Sequence, residues 1–209
     1  ASVEWLRRLR EITERHGVLL IVDDIQVGCG RTGKFFSFED AGIVPDIVTL
    51  SKSLSGYGLP FALVLFKPEH DQWAPGEHNG TFRGHCPAFV TGAAALDFWQ
   101  DAWLEKSVIA KGRMATERLQ RLLRNTGVKG EVRGRGLILG VAFEDAEFAG
   151  HISAACFERG LIIETAGVND EVLKLLPSLT ISEEELAHGL DIIEQAWKAT
   201  LKGDARDAA

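Results

Sequence analysis

Three short apolar runs set the pattern of the front of the chain. Residues 18–22 (Val-Leu-Leu-Ile-Val), 47–50 (Ile-Val-Thr-Leu) and 61–66 (Phe-Ala-Leu-Val-Leu-Phe) are unbroken and rich in β-branched side chains, the composition of core strands covered on both faces. The first two predict buried parallel neighbours, because the stretch from Asp24 to Pro45 exceeds the dozen or so residues of a parallel crossover and is far too long for a hairpin. Around these runs the period changes. Trp5, Leu6, Leu9 and Ile12 recur at helical spacing and stop at His16-Gly17, a C-terminal helix signal. From residue 87 to about 123 small and apolar residues again follow helical spacing, with Pro87 suited to a first turn and a break marked by Asp101 and Trp103-Leu104.

The rear of the chain alternates in the same way. Residues 132–143 are β-rich and punctuated by Gly134, Gly136 and Gly140, which allow turns or bulges; Arg133 and Arg135 read there as solvated strand-edge charges. A helix over 146–159 and a strand over 161–164 follow. The last helix carries the strongest start signal, since Ser182 precedes Glu183-Glu184-Glu185 and Ser-x-x-Glu is a capping box with acids at the positive helix end. Leu186, Leu190, Ile193, Trp197 and Leu201 form its apolar stripe, and residues 202–209 read as a polar, frayed tail. The fold class is α/β.

Composition narrows the function. A chain of 209 residues that is 45% hydrophobic with net charge −7 is an ordinary globular, mildly acidic protein, without the basic cluster of a nucleic-acid binder. No signal peptide or long apolar segment is present, which points away from the membrane and to the cytoplasm. Three scattered cysteines and six histidines without paired spacing give neither a disulfide framework nor a metal site.

Chemistry enters at the strand ends. Asp23-Asp24 closes the first run and Ser51-Lys52 the second, and the ends of adjacent parallel strands share a crevice. An acid and a lysine facing one crevice suit pyridoxal phosphate: the lysine binds the cofactor covalently, while the acid keeps the pyridine nitrogen protonated so that the ring accepts electrons. Gly28-Cys29-Gly30-Arg31-Thr32-Gly33 also fits the G-x-G-x-x-G dinucleotide fingerprint, but its glycines do not follow the strand directly, no helical period follows, and Asp46 precedes the second strand instead of ending it. A nicotinamide site is therefore not expected.

The run Asp23-Asp24-Ile25-Gln26-Val27-Gly28-Cys29-Gly30-Arg31-Thr32-Gly33-Lys34-Phe35-Phe36, continued by Pro45-Asp46-Ile47-Val48-Thr49-Leu50-Ser51-Lys52, resembles the signature of class III aminotransferases, in fold-type I of the pyridoxal phosphate enzymes. Ser51-Lys52-Ser53-Leu54-Ser55-Gly56-Tyr57-Gly58-Leu59-Pro60 and Pro75-Gly76-Glu77-His78-Asn79-Gly80-Thr81-Phe82-Arg83-Gly84 are similar to the diaminobutyrate-forming branch of that class, the one serving ectoine synthesis. The resemblance runs along nearly the whole chain. It implies that Asp23 pairs with the pyridine nitrogen, that Gln26 lies by the phenolic oxygen, that Lys52 is the catalytic lysine, and that Thr81 reaches the cofactor phosphate of a neighbouring subunit. It further implies a homo-oligomer with active sites at the dimer interface, and transamination from glutamate to aspartate 4-semialdehyde. Ornithine, acetylornithine or 4-aminobutyrate aminotransferases, or an inactive truncated fragment, are the alternatives.

By the same resemblance, residues 1–86 belong to the C-terminal part of the cofactor-binding large domain with its wound, mostly parallel sheet. Residues 87–124 are a linking helical region, and 125–209 a small α+β C-terminal domain. The chain opens on a helix that runs at once into the Asp-bearing strand, so the expectation is the C-terminal half of a longer enzyme, with an N-terminal half supplying the ring-stacking aromatic and the phosphate turn. At Lys174-Leu175-Leu176-Pro177 many class III members carry an arginine for the substrate α-carboxylate. Lysine is a point charge without that planar fork, and Lys174 is the candidate substrate ligand.

Overall fold

The computed structural model describes residues 1–56, 58–81 and 83–207, with side chains through residue 203. Tyr57 and Phe82 of the second and third motifs, and residues 208 and 209 of the polar tail, lie outside the described residues. The chain divides into two compact units, Ala1–Glu105 and Lys106–Ala209.

In the first unit, helix α1 (Val3–Arg15) starts where the Ser2 hydroxyl accepts the Trp5 N–H at 3.2 Å, and ends at His16, followed by left-handed Gly17. Its inward side is rotated from the apolar stripe: Arg10 and Thr13 are buried, while Trp5 and Ile12 are exposed. The reason is electrostatic, since Arg10 reaches inward to Asp46 at 2.7 Å. Strands β1 (Ile21–Asp23), β2 (Ile47–Leu50) and β3 (Leu63–Phe66) form one sheet in that order. β1 and β2 are parallel, with Asp23 opposite Thr49, and β2 and β3 are antiparallel.

The expectation that all three runs are core strands fails for the outer two. Val18, Leu19 and Ile21 of the first run and Leu63–Phe66 of the third are exposed, and of these outer runs Leu20 alone is buried; Val48 and Leu50 of β2 are buried, together with Cys29, Phe38 and Leu54. Among the described residues β1 and β3 each have a neighbour on one side only, so their apolar composition suits a larger sheet than these residues build. Helix α2 (Cys86–Ala95) follows, with Pro87 in its first turn, then a 3-10 turn over Leu96–Trp99 and helix α3 (Trp103–Thr126). The break falls at Asp101, whose carboxylate accepts the Trp103 N–H at 2.7 Å.

The second unit takes up α3 and adds β4 (Gly130–Arg135), β5 (Ile138–Phe143), α4 (Ala146–Phe157), β6 (Glu164–Ala166), β7 (Val172–Leu175) and α5 (Glu183–Asp207). Its sheet, ordered β4-β5-β7-β6, is antiparallel throughout. Phe143, Phe148 and Trp197 meet edge to face at 4.9–5.6 Å in the core, and α3 crosses so near the β4–β5 turn that a Cβ on Gly112 would lie 2.2 Å from the Gly136 carbonyl. Arg133 pairs with Glu131 at the exposed edge. The capping box forms as expected: the Ser182 hydroxyl accepts the Glu185 N–H at 3.1 Å and the Glu185 carboxylate accepts the Ser182 N–H at 2.9 Å. Leu186, Leu190, Ile193 and Trp197 are buried. α5 runs on to Asp207, past the expected start of the tail.

Candidate functional site

The parallel pairing of β1 and β2 brings the two strand ends to one edge, as the sequence pattern requires. Alternation along β1 then sends its two acids opposite ways. Asp24 turns inward and is fully buried; its carboxylate accepts the Ser37 N–H at 2.9 Å and the Ser37 hydroxyl, while its carbonyl accepts the Gly28 N–H at 2.9 Å. It is a structural clamp on the loop after β1. Gly28 is required there, since a Cβ would lie 2.7 Å from that carbonyl. Cys29 lies beside this clamp, where burial and then the Asp24 charge push its thiol up to about 11, so it stays protonated and inert.

Asp23 is exposed at the edge. One carboxylate oxygen accepts the Ile25 N–H at 3.0 Å and the Thr49 hydroxyl at 3.3 Å; the other has no partner among the described residues. Thr49 was missed by sequence reasoning, although a hydroxyl within the aliphatic run Ile-Val-Thr-Leu was the available signal. Gln26 sits exposed in the turn that follows.

Lys52 lies just past β2 on the same edge, exposed, and opens a 3-10 turn over Lys52–Ser55. Its backbone is left-handed at φ +50°, an arrangement that costs a non-glycine residue roughly 1–2 kcal/mol. The surroundings impose it. The Ser51 hydroxyl donates to the Phe61 carbonyl at 2.7 Å, Leu54 and Ser55 are buried, and the Ser55 hydroxyl accepts the Gly58 N–H at 3.1 Å. Gly56 (φ +70°) lets α2 close on this turn, since a Cβ would lie 2.7 Å from the Ala95 side chain. Strained residues held by their surroundings concentrate at functional sites.

Thr81 is exposed in the loop before α2 and makes no hydrogen bond to Asp23, Gln26 or Lys52 among the described residues. Lys174 lies in the second unit on β7, opposite Glu164 in register, with its ammonium 3.0 Å from the Glu164 carboxylate. The dinucleotide decoy is a run of turns, and no helix opens from Gly33. Among the described residues no His, Cys, Asp and Glu cluster is arranged to hold a metal, and no helix is long and apolar enough to cross a membrane.

The structural role of the acid at the opposite end of β2 was also missed. Asp46 is buried and accepts from Arg10 at 2.7 Å, Lys67 at 2.6 Å and the Leu20 N–H at 2.8 Å. Burial alone would push its carboxyl up; the Leu20 N–H, Lys67 and Arg10 more than reverse this and hold it far below the usual carboxylate range. It fastens α1 and the region after β3 to the start of β2.

A lysine amine without a partner among the described residues and a carboxylate with a spare oxygen, on one edge of a parallel pair, fit pyridoxal phosphate. The class III aminotransferase family matches residues 1–197. A diaminobutyrate–2-oxoglutarate transaminase of Nocardia farcinica is 58% identical over 99% of this chain and 47% of its own length, and one of Halomonas elongata is 54% identical over 95% and 48%. Among solved structures, an N-acetylornithine aminotransferase of Stenotrophomonas maltophilia superposes with TM-score 0.86 at 33% identity, over 97% of this chain and 53% of its own. The chain thus spans about half the length of the curated relatives it matches.

Proposed function

Given that this chain belongs to the class III aminotransferases, we propose that the whole protein is a pyridoxal phosphate-dependent transaminase that moves the amino group of glutamate onto aspartate 4-semialdehyde, giving 2,4-diaminobutyrate and 2-oxoglutarate. The observation that carries this reading is the shared strand edge of Asp23 and Lys52, a carboxylate with a spare oxygen and an amine without a partner among the described residues. When bound, the cofactor supplies the electron sink for the carbanion. Asp23 would hold the proton on the pyridine nitrogen, with the Thr49 hydroxyl fixing the carboxylate. Lys52 Nζ would bind the cofactor between turnovers, then take the proton from the substrate Cα and return it during the shift. Gln26 would donate to the phenolic oxygen from its turn. Thr81, bonded to none of these among the described residues, would serve the phosphate of a neighbouring subunit in a homo-oligomer.

The diaminobutyrate reading is favoured over the acetylornithine one by identity, 58% against 33% for the relatives named for each. A coupled assay on the whole protein, offering glutamate with aspartate 4-semialdehyde beside ornithine, acetylornithine and 4-aminobutyrate, tests it. Turnover should be fastest with the semialdehyde. Equal or faster turnover of another amine would overturn the substrate assignment, and no cofactor absorbance with any of them would overturn the site.

A further inference from the structure

Between β3 and α2 the chain runs through residues 67–85, the stretch that carries Thr81. Ordering a connection of this length costs much entropy unless its own side chains tie it down. A hydroxyl that has to meet a phosphate is best held before the phosphate arrives. The ties are present on both sides of Thr81. The turn over residues 74–77 is closed twice, the Ala74 N–H donating to the Glu77 carboxylate at 2.7 Å and the Glu77 N–H to the Ala74 carbonyl at 3.1 Å. The His78 ring then lies 5.1 Å from that of Trp73, which meets Phe66 of β3 edge to face at 5.3 Å. Past Thr81, a Cβ on Gly84 would lie 2.3 Å from the Phe89 ring, and Phe89 meets Phe61 at 5.2 Å. The Phe61 carbonyl is the one that accepts the Ser51 hydroxyl beside Lys52.

A single clasp joins the two sides. Arg83 Nη2 donates both to the His78 carbonyl and to Nδ1 of the His78 ring. A guanidinium has only protons to give, so Nδ1 is the acceptor and the imidazole is neutral, with its proton on Nε2. A protonated ring would lose that lone pair and set a second cation against the guanidinium. The ring's other neighbour, Trp73, is uncharged, and the adjacent carboxylate of Glu77 is taken by the Ala74 N–H. Thr81 itself, inside the clasp, is exposed and has no hydrogen-bond partner among the described residues.

We propose that His78 and Arg83 are positioning residues for the cofactor phosphate: their clasp presents the Thr81 hydroxyl, and it opens when the imidazole takes up a proton. The proposal rests on the reading of Thr81 as a phosphate ligand in a pyridoxal phosphate enzyme.

The test is the dissociation constant of pyridoxal phosphate from the whole protein at about pH 8 and about pH 5.5, on either side of the range in which imidazoles titrate. His78→Phe keeps a ring against Trp73 but accepts nothing, and Arg83→Met removes the donor; each should weaken binding roughly three- to tenfold at the higher pH, the worth of one solvent-exposed hydrogen bond. His78→Gln offers an amide oxygen that accepts at either pH. It should bind like the parent at the higher pH and severalfold more tightly than the parent at the lower, a comparison in which the titration of the cofactor's own phosphate cancels. Without cofactor, the amides of residues 79–81 should exchange faster in His78→Phe and Arg83→Met than in the parent, and no faster in His78→Gln. Parent-like binding by His78→Phe overturns the proposal, as does a His78→Gln affinity that falls with the parent's in acid. Weak binding by Arg83→Met beside an unaffected His78→Phe would place the guanidinium on the phosphate itself and also overturn it. Should the first two variants fail to assemble, the pH comparison of His78→Gln with the parent decides alone. Thr81→Ala separates the two readings: unchanged affinity in that variant refutes the phosphate role beneath the proposal, whereas a loss there with the clasp variants unaffected refutes the clasp alone.

Discussion

Replacing Asp46 by Asn keeps the shape of the side chain and removes its charge. The carboxylate is 8% exposed and accepts from Arg10, which is 9% exposed, and from Lys67, which is 31% exposed. Removing one member of a buried pair strands the other and costs roughly 3–5 kcal/mol. Two features draw the figure to the lower end. Solvent screens the half-exposed Lys67, and the Glu14 carboxylate, 3.0 Å from Arg10 Nε, stays beside the guanidinium. A loss of about 3 kcal/mol at neutral pH is expected. The pH dependence follows from the lowered carboxyl. Below the ordinary aspartate value of about 3.9, the unfolded chain takes up a proton that the folded chain still refuses, so stability is present above that value and is lost as pH falls toward the folded one. The variant has no such contribution to lose, and its stability curve should be flatter through that acid window. Urea denaturation followed by tryptophan fluorescence at pH 7 and at steps down to about pH 2 measures both effects. A cost below about 1 kcal/mol, as for a surface pair, or an unchanged acid profile, would refute the reasoning.

The other expectations concern the whole protein. Borohydride reduction in the presence of cofactor should label Lys52, and peptide mapping that finds the label on another lysine removes the assignment. Asp23→Asn should lower turnover about a hundredfold, or about 2.7 kcal/mol, with the cofactor still bound; activity within about threefold of wild type would end its role at the pyridine nitrogen. Thr81→Ala should weaken cofactor affinity roughly ten- to a hundredfold, since a hydrogen bond to a charged group is worth about 1.5–3 kcal/mol. In mixed oligomers with a subunit lacking Lys52, that defect should follow the neighbour's site, and a defect in the subunit's own site would refute the placement.

What could be read from the residues alone was whatever depends on near neighbours in sequence. The Ser182 capping box and the α5 stripe need only one helix to form, and the order and edge of Asp23 and Lys52 follow from two runs and the length between them. The role of Asp46 escaped notice because it lies in Arg10 and Lys67, brought to it from both sides by the fold. The rotated face of α1 has the same origin: an arginine reads as solvent-facing until a buried acid is found beneath it. The apolar runs at residues 18–22 and 61–66 were recognised as strands but expected in a core, since composition reports the surroundings a strand is suited to and not those that 209 residues can supply.

The left-handed backbone at Lys52 sets stability against chemistry. A residue with a Cβ forgoes roughly 1–2 kcal/mol at such a position, while glycine would adopt it freely at an entropic cost of only about 0.4–1 kcal/mol in the unfolded chain. Selection for stability alone would place glycine after Ser51, as it has at Gly56 and Gly58, where φ is also positive. Lys52→Gly should therefore fold at least as well as the parent, and better than Lys52→Ala, which removes the amine but keeps the strain. Glycine, not alanine, is the replacement that separates the loss of the amine from a defect of the backbone that carries it.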